Sequence, residues 1–380
     1  MRLSRDPAAR RRLAALAACA AVALIGGALL GSADGDGDSM SGPSSGEREP
    51  AAGLGLREQV GQLLVSSFDE TELPDYLRRR LRAGETAGVI LFGRNIASEP
   101  GLRRLTASVQ RASGRGALVA ADQEGGTIRI VPFAGPLPGQ SEQADPREAQ
   151  SLAREAAGEL RSFGVNVNLA PVADVIAGAG GALAGRSFPG SPEQVAGLVA
   201  ASARGMATGR VAATAKHFPG LGAAAANTDD APVTIGDDRA QLAARDLPPF
   251  RAAIDAGAPM VMASHALYPA WDESDIASQS QAILGGLLRR QLGFRGVVVT
   301  DSMEAQAVLS RSGVAEAAER SVAAGADLLL LTGSGSWNEV FPRLLARARS
   351  SPAFRERVAR SAARVLDLKR RLGLAARASP

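Results

Sequence analysis

The residues best suited to chemistry lie where short apolar runs end. Lys216 and His217 follow the mostly apolar run 211–215, and a Pro-Gly turn comes directly after Phe218. An apolar run that ends in polar residues before such a turn is typical of a buried strand with polar side chains at its mouth. His217 is one of only two histidines in the chain, and the alanine-rich loop that follows this strand holds none. Much of the function therefore depends on this strand and its loop.

Ionisable residues end several other apolar runs in the same way. They are Asp69, Asp122, Glu124, Asp174, His265, Asp301 and Glu304. A single aspartate after a strand often does no more than cap the next helix. Six runs that end in ionisable groups instead predict a polar ligand site where those ends meet.

Eight apolar runs alternate with amphipathic helical stretches beyond residue 56. The runs are 61–68, 88–93, 117–124, 166–174, 211–218, 258–268, 296–303 and 326–333. Near-continuous apolar strands that alternate with helices predict a parallel sheet covered on its faces. Eight such units fit an α/β fold of the (β/α)8 TIM-barrel type, in which active sites lie at the carboxyl ends of the strands. A doubly wound open sheet is the alternative, but no Gly-x-Gly-x-x-Gly turn follows the first strand.

The N-terminal segment 1–31 predicts an export signal or a membrane anchor. Several arginines precede the uncharged apolar run 13–31, which indicates an exported body, either anchored to the membrane and facing outside or secreted. The residues before Cys19 resemble a lipoprotein box, but few apolar residues precede it, which argues against lipidation. We expect residues 32–55 to form a flexible linker, residues 56–372 the barrel and residues 373–380 a tail.

Composition argues against several partners and cofactors. The net charge of +4 is small for 380 residues and comes largely from arginines near both termini, so nucleic acid is not an expected partner. Cys19 is the only cysteine, which excludes an intramolecular disulfide and a cysteine-based metal cluster. The two histidines lie on different strands, and no nucleotide-binding loop is present, so we expect no metal and no organic cofactor. The sequence leaves the oligomeric state open.

Six motifs, in this order, resemble those of glycoside hydrolase family 3, in particular its single-barrel β-N-acetylglucosaminidases of bacterial cell-wall recycling. The resemblance covers roughly residues 57–372. The motifs are GVILFGRN at 88–95, DQEGG at 122–126, NLAPVAD at 168–174, GRSF at 185–188, KHFPG at 216–220 and VTD at 299–301.

The resemblance implies roles for individual residues. Asp301 is similar to the nucleophile of a retaining glycosidase, which forms a covalent glycosyl-enzyme intermediate. Asp122 is similar to the residue that binds two sugar hydroxyls through its carboxylate oxygens. Arg186, Lys216 and His217 correspond to donors of hydrogen bonds to the sugar, and charged donors make the stronger hydrogen bonds.

Three further polar residues carry less specific expectations. His265, which ends the sixth apolar run, is a further candidate for substrate binding. Glu124 is expected to bind the sugar or to hold a turn beside it. Asp174 is expected to orient neighbouring cationic side chains or to stabilise its own loop.

The loop after residue 220 departs from the family pattern. The resemblance implies an Asp-Ser-His triplet there, in which the histidine is the general acid/base and the aspartate positions it. The corresponding residues are Asn227, Thr228 and Asp229.

Three hypotheses follow from this departure. In the first, Asp229, or Asp230 beside it, is the acid/base, as in ordinary retaining glycosidases with two carboxylates. In the second, Asp301 remains but protonation is poor, so only activated glycosides are cleaved. In the third, the barrel binds glycans or regulates without turnover. We favour a hydrolase of O-glycosyl bonds, a retaining β-N-acetylhexosaminidase or related β-glycosidase, acting on cell-envelope or extracellular glycans.

Overall fold

The computed structural model describes residues 53–178 and 181–374, which contain a closed barrel of eight parallel strands. The strands are β1 (Leu64–Ser66), β2 (Gly88–Ile90), β3 (Leu118–Ala121), β4 (Val167–Asn168), β5 (Ala212–Phe218), β6 (Met260–Ala263), β7 (Val297–Ser302) and β8 (Leu328–Leu331). They follow one another around the barrel in chain order, and β1 pairs with β8 to close it. The prediction of a (β/α)8 barrel is confirmed.

Helices connect the strands and pack around them. They are α1 (Leu56–Gly61), α2 (Asp75–Arg82), α3 (Glu99–Ala112), α4 (Pro146–Ser162), α5 (Pro192–Thr208), α6 (Arg239–Arg245), α7 (Leu247–Asp255), α8 (Gln306–Leu309), α9 (Val314–Ala324), α10 (Ser336–Ser350) and α11 (Pro352–Arg371), with a π-helical segment, Ala282–Gln291, before β7. Local sequence fixes several helix starts. Asp145 caps α4 by accepting hydrogen bonds from the amides of Arg147 and Glu148, and a proline occupies the first turn.

Short hairpins and turns complete the loops at the carboxyl ends of the strands. The paired segments are Gln123–Gly125 with Ile128–Arg129, and Leu267–Tyr268 with Asp272–Ile276. Three short 3-10 turns lie at Gly93–Asn95, Gln140–Glu142 and Ala277–Gln279.

Alternate residues of each strand face the interior of the barrel. Val297 and Val299 of β7 belong to an apolar cluster contributed by all eight strands. Val298 between them joins the larger cluster that the strands form with the surrounding helices. Because strand side chains alternate between two faces, this register decides which residues beyond each strand can point into the mouth of the barrel.

Lys369 of α11 is buried in this core, and no carboxylate of the described residues pairs with it. Its side chain is 2% exposed, and its ammonium donates to Oε1 of Gln62 at 2.8 Å. Burial, reinforced by the nearby charge of Arg115, lowers the pKa of Lys369 to about 7. Keeping Lys369 protonated and charged at neutral pH therefore opposes folding.

We expect Lys369→Met to stabilise the protein at low and neutral pH. The unfolded lysine, with a pKa of about 10.4, binds its proton more readily than the folded one, so the cost is full below about pH 7 and fades as the pH rises towards 10. The gain in the free energy of unfolding should be about 2–4 kcal/mol at pH 6. Urea denaturation at pH 6, 8 and 9.5 measures it, and a gain that does not shrink with rising pH would contradict the explanation.

The predicted signal or anchor segment and most of the predicted linker lie outside the described residues. Within the part of the chain that the structure describes, no helix is long and apolar enough to cross a membrane.

Candidate active site

Three of the predicted site residues continue the inward-facing rows of their strands. Asp122 follows the inward Leu118 and Ala120 of β3, and Asp301 follows the inward Val297 and Val299 of β7. Lys216 extends the row that starts at the inward Ala212 of β5. The alternation of strand side chains thus aims all three at the mouth of the barrel.

Lys216 joins two carboxylates in a charge-balanced cluster. Its buried ammonium lies 2.6 Å from Oδ1 of Asp122 and 2.6 Å from Oε1 of Glu124. Arg186 binds Glu124 through two parallel hydrogen bonds, of 2.9 Å from Nε and 2.7 Å from Nη2. Two cations and two anions are therefore held together by charge-assisted bonds of the strong, bidentate kind.

This cluster fixes the charge state of Glu124. Burial alone would raise its pKa, but the charges and hydrogen bonds of Lys216 and Arg186 outweigh burial and lower the pKa to about 2. Glu124 therefore stays ionised and serves to hold the two cations. Asp122 is the more open of the two carboxylates, with 23% of its side chain exposed, so it can accept hydrogen bonds from a ligand.

His217 is held by Asp174. Nδ1 of His217 lies 2.7 Å from Oδ2 of Asp174, and the His217 backbone amide also contacts this carboxylate. Asp174 is fully buried and accepts a third donor, the amide of Leu221, at 2.6 Å. It thereby orients the imidazole and pins the start of the loop that follows β5.

Asp301 lies beside His217 and is ready to act as an anion. Nε2 of His217 is 3.8 Å from Oδ2 of Asp301, and the Ser302 amide donates to Oδ1 at 2.8 Å. Burial raises the pKa of Asp301, but His217, His265 and Lys216 outweigh it, so the pKa falls below its usual range. A low pKa keeps a nucleophilic carboxylate deprotonated.

His265 lies behind this site rather than in its opening. The side chain is fully buried, and its Nδ1 contacts Oγ of Ser278 at 2.7 Å. Burial lowers the pKa of His265, and the backbone of Asp301 and Ser302 partly offsets that effect. The structure therefore places this residue against the strand that carries Asp301, out of contact with solvent.

The divergent loop brings Asp229 to the site. The Asp229 amide donates to Oδ1 of Asn227 at 3.2 Å, and the amide of Asp230 donates to the Asn227 carbonyl at 3.1 Å, so these residues form a compact turn. The amide of Gln306 donates to the Asp229 carbonyl at 3.0 Å, and that of Ala307 to the Thr228 carbonyl at 3.1 Å. These two bonds dock the turn onto the segment that follows β7.

The pKa values of Asp229 and Asp301 are shifted in opposite directions. The Asp229 side chain is open to solvent on one side, yet partial burial and then the negative charge of Asp301 raise its pKa above the usual range. Asp230 adds a smaller contribution in the same direction. The pKa of one carboxyl is raised and that of the other is lowered, which is the direction expected of a general acid and a nucleophile.

Two features of the site carry no signal in the sequence motifs. The backbone amides of Gln306 and Ala307 hold the loop, and any residue but proline supplies such a donor. Oε2 of Glu304 accepts from the Thr332 amide at 2.7 Å and so ties the end of β7 to β8. Among the described residues, no group of three His, Cys, Asp or Glu side chains could hold a metal ion.

Comparison with known proteins identifies the family. Residues 55–368 match the model of the glycosyl hydrolase family 3 N-terminal domain. The chain belongs to glycosyl hydrolase family 3. The resemblance read from the six motifs is thereby confirmed, and the chain is a glycoside hydrolase.

Individual relatives and a solved structure support this assignment. The chain is 33% identical over 342 residues to an uncharacterized secreted glycosyl hydrolase of Arthroderma benhamiae, covering 85% of this chain and 96% of that protein. It is 37% identical over 281 residues to a β-hexosaminidase of Stenotrophomonas maltophilia, covering 71% of this chain and 83% of that protein. The solved family 3 β-N-acetylglucosaminidase of Paenibacillus superposes with a TM-score of 0.81 at 34% identity. That match covers 86% of this chain but only 64% of the Paenibacillus protein.

Proposed function

We propose that this glycoside hydrolase cleaves β-N-acetylhexosaminides with retention of configuration, with Asp301 as the nucleophile and Asp229 as the general acid/base. The opposite pKa shifts of these two carboxyls carry the proposal. The hydrogen bonds from the amides of Gln306 and Ala307 support the proposal, because they hold the Asp229 turn beside the strand that carries Asp301. In retaining glycosidases the two carboxyl groups lie about 5–5.5 Å apart.

The reaction balances with these two groups alone. In the first step an Asp301 oxygen attacks the anomeric carbon while Asp229 gives its proton to the leaving oxygen, so an ester bond forms as the glycosidic bond breaks. In the second step the Asp229 carboxylate takes a proton from water, whose oxygen attacks the anomeric carbon and releases the Asp301 carboxylate.

The remaining cluster binds and orients the sugar in this proposal. Asp122 accepts from two neighbouring hydroxyls, while Lys216, Arg186 and His217 donate to the sugar oxygens. Glu124 keeps the two cations in place. His265 acts as a positioning residue, since it is buried against Asp301 and does not reach the open side of the site.

The choice of substrate rests on relatives. The Stenotrophomonas relative is named a β-hexosaminidase and the Paenibacillus structure a β-N-acetylglucosaminidase. The Arthroderma relative is named a secreted protein, which together with the arginine-flanked apolar run 13–31 supports export and a cell-envelope or extracellular glycan as substrate. Attachment to the membrane through that run remains part of the proposal.

The pH dependence of kcat/KM should show two limbs. Activity falls as the pH drops through the pKa of Asp301, which lies below the usual range, because the nucleophile must be ionised. It also falls as the pH rises through the pKa of Asp229, which lies above the usual range, because the acid must hold its proton. For a dinitrophenyl glycoside, Asp229→Ala should remove the alkaline limb and keep the acidic one. An unchanged alkaline limb would assign it to another group.

Covalent trapping tests the proposed function directly. A fluorosugar with a good leaving group, in the N-acetylglucosamine or glucose series, should inactivate the purified protein and label the peptide that contains Asp301, as seen by mass spectrometry. Aryl N-acetyl-β-glucosaminides should release their aryl group. Measurable glycan binding with neither label nor release would favour a glycan-binding barrel instead.

A further inference from the structure

A second cavity lies at the face of the barrel opposite to the active site. It has a volume of about 490 Å³ and is bounded by residues that precede β6 and β7, namely Ala258, Pro259 and Gly296. The last turns of α11 form its opposite wall. Because active sites of this fold lie at the carboxyl ends of the strands, this cavity is separate from the catalytic machinery.

More arginines than carboxylates line the cavity. The charged residues that line it are Arg295, Arg364, Asp367, Arg370 and Arg371. Asp367 accepts from both Arg370, at 2.9 Å, and Arg371, at 2.7 Å. Arg295 is exposed and has no ion pair within the described part of the chain. Ion pairs this exposed are weak, so these guanidinium groups remain available to an added anion.

Behind the wall that α11 forms, arginines also outnumber carboxylates. The fully buried Asp327 is contacted by three guanidinium groups, from Arg289, Arg357 and Arg364. Burial lowers the pKa of Arg289 to about 10, and the neighbouring Arg364 and Arg357 contribute to that lowering. Arg364 also lines the cavity, and its buried Nε has no hydrogen-bond partner among the described residues. The Arg364 side chain is 18% exposed, so other atoms of its guanidinium group are open to an anion in the cavity.

The rest of the lining is apolar. Phe294, Val297 and Leu368 are buried, and Ile254 and Ala363 complete the wall between α7 and α11. Cationic groups above an apolar wall complement a molecule with an anionic head and a hydrocarbon body. Arginine is the side chain best shaped to bind phosphate and carboxylate oxygens through paired donors.

We propose that this cavity binds an anionic amphiphile, with its phosphate or carboxylate head on Arg364 and Arg295 and its apolar body against the half-buried Ile254 and Pro259. The site is independent of the hydrolytic activity. The head belongs to a lipid-like molecule in this proposal, and a free oxyanion is the competing outcome of the test because it does not contact the apolar wall.

Isothermal titration of the full chain with dodecyl phosphate below its micellar concentration tests the proposal. We expect saturable one-to-one binding, with inorganic phosphate at least about tenfold weaker because it forgoes the burial of the alkyl chain. Arg295→Gln should weaken dodecyl phosphate at least about tenfold, since it removes a charged hydrogen-bond donor. This residue is exposed, so the variant keeps its fold, and its hydrolytic rate should be unchanged.

Matched controls separate the cavity from general attraction. Arg104→Gln removes the same charge from an exposed site on α3, and dodecyl maltoside keeps the alkyl chain without the anionic head. Arg104→Gln should bind dodecyl phosphate as tightly as the unaltered chain does. Dodecyl maltoside should show no saturable binding to the unaltered chain. All variants share the same N-terminal segment, so differences between them report the cavity. Equal affinity of the unaltered chain and Arg295→Gln, or no saturable binding, would overturn the proposal. Equal affinity for inorganic and dodecyl phosphate would replace the amphiphile with a simple oxyanion and also contradict it.

Discussion

Replacing Asp301 with alanine is expected to lower kcat/KM for an aryl N-acetyl-β-glucosaminide by at least about 10⁴-fold. The change removes the attacking oxygen, and no other side chain is aimed at the anomeric carbon in the proposed mechanism. The low pKa of Asp301 and its place on the inward row of β7 support that role. Initial-rate measurements over a range of aryl glycoside concentrations give the value.

Asp69→Ala is the matched control for this variant. Asp69 also follows a barrel strand, but its partner is Arg94, at 2.7 Å, and its side chain is largely exposed. We expect its activity to stay within about threefold of the unaltered enzyme, as for most exposed positions away from the reacting atoms. Retention of more than a few per cent of activity in Asp301→Ala would remove this residue from the mechanism.

Replacing Asp229 with alanine should affect substrates according to their leaving groups. A disaccharide needs a proton on its leaving oxygen, so its kcat/KM should fall about 10²–10⁴-fold. A dinitrophenyl glycoside leaves as a stable anion and should lose less than about tenfold in its first step. Comparing kcat/KM for both substrates in the same variant measures the difference.

Asp230→Ala serves as the control because it makes the same change one residue away. Asp230 is exposed, and its backbone amide, which this change keeps, is what closes the turn. Its activity on both substrates should remain within a few-fold of the unaltered enzyme. If Asp230→Ala shows the leaving-group dependence and Asp229→Ala does not, the assignment of the acid is wrong.

The fold and the direction of three candidate site side chains could be predicted because they depend on local patterns. The eight apolar runs identify the strands, although the structure makes several strands shorter; β4 retains only Val167–Asn168 of the run 166–174. The alternation of side chains takes Asp122, just beyond β3, and Lys216 and Asp301, near the ends of β5 and β7, to the mouth. That alternation is present in the sequence.

The same alternation explains the place of His265. Met260 and Met262 of β6 face the barrel interior, so Ser264 continues their row and His265 falls on the opposite face. The sequence made His265 a candidate for substrate binding because it ends the sixth apolar run, and that position does not distinguish a side chain in the mouth from one behind the wall. The period of two alone does not decide such a case, because His217 also lies off the inward row of its strand and yet its Nε2 is 3.8 Å from Oδ2 of Asp301.

The relation between Asp229 and Asp301 could not be predicted. It depends on backbone hydrogen bonds between the turn and Gln306 and Ala307, residues far along the chain that carry no recognisable motif. Only the folded arrangement shows that Asp301 raises the pKa of Asp229. The buried charge of Lys369 is similar, because its burial depends on how α11 packs at the base of the barrel.

The stereochemistry of azide rescue tests the pairing of Asp229 with Asp301 most directly. In Asp229→Ala, azide can attack the glycosyl-enzyme ester on Asp301 from the face that water normally uses. We expect azide to accelerate turnover of a dinitrophenyl N-acetyl-β-glucosaminide, with the β-glycosyl azide as the product. An α-glycosyl azide, or no azide product and no acceleration, would contradict it.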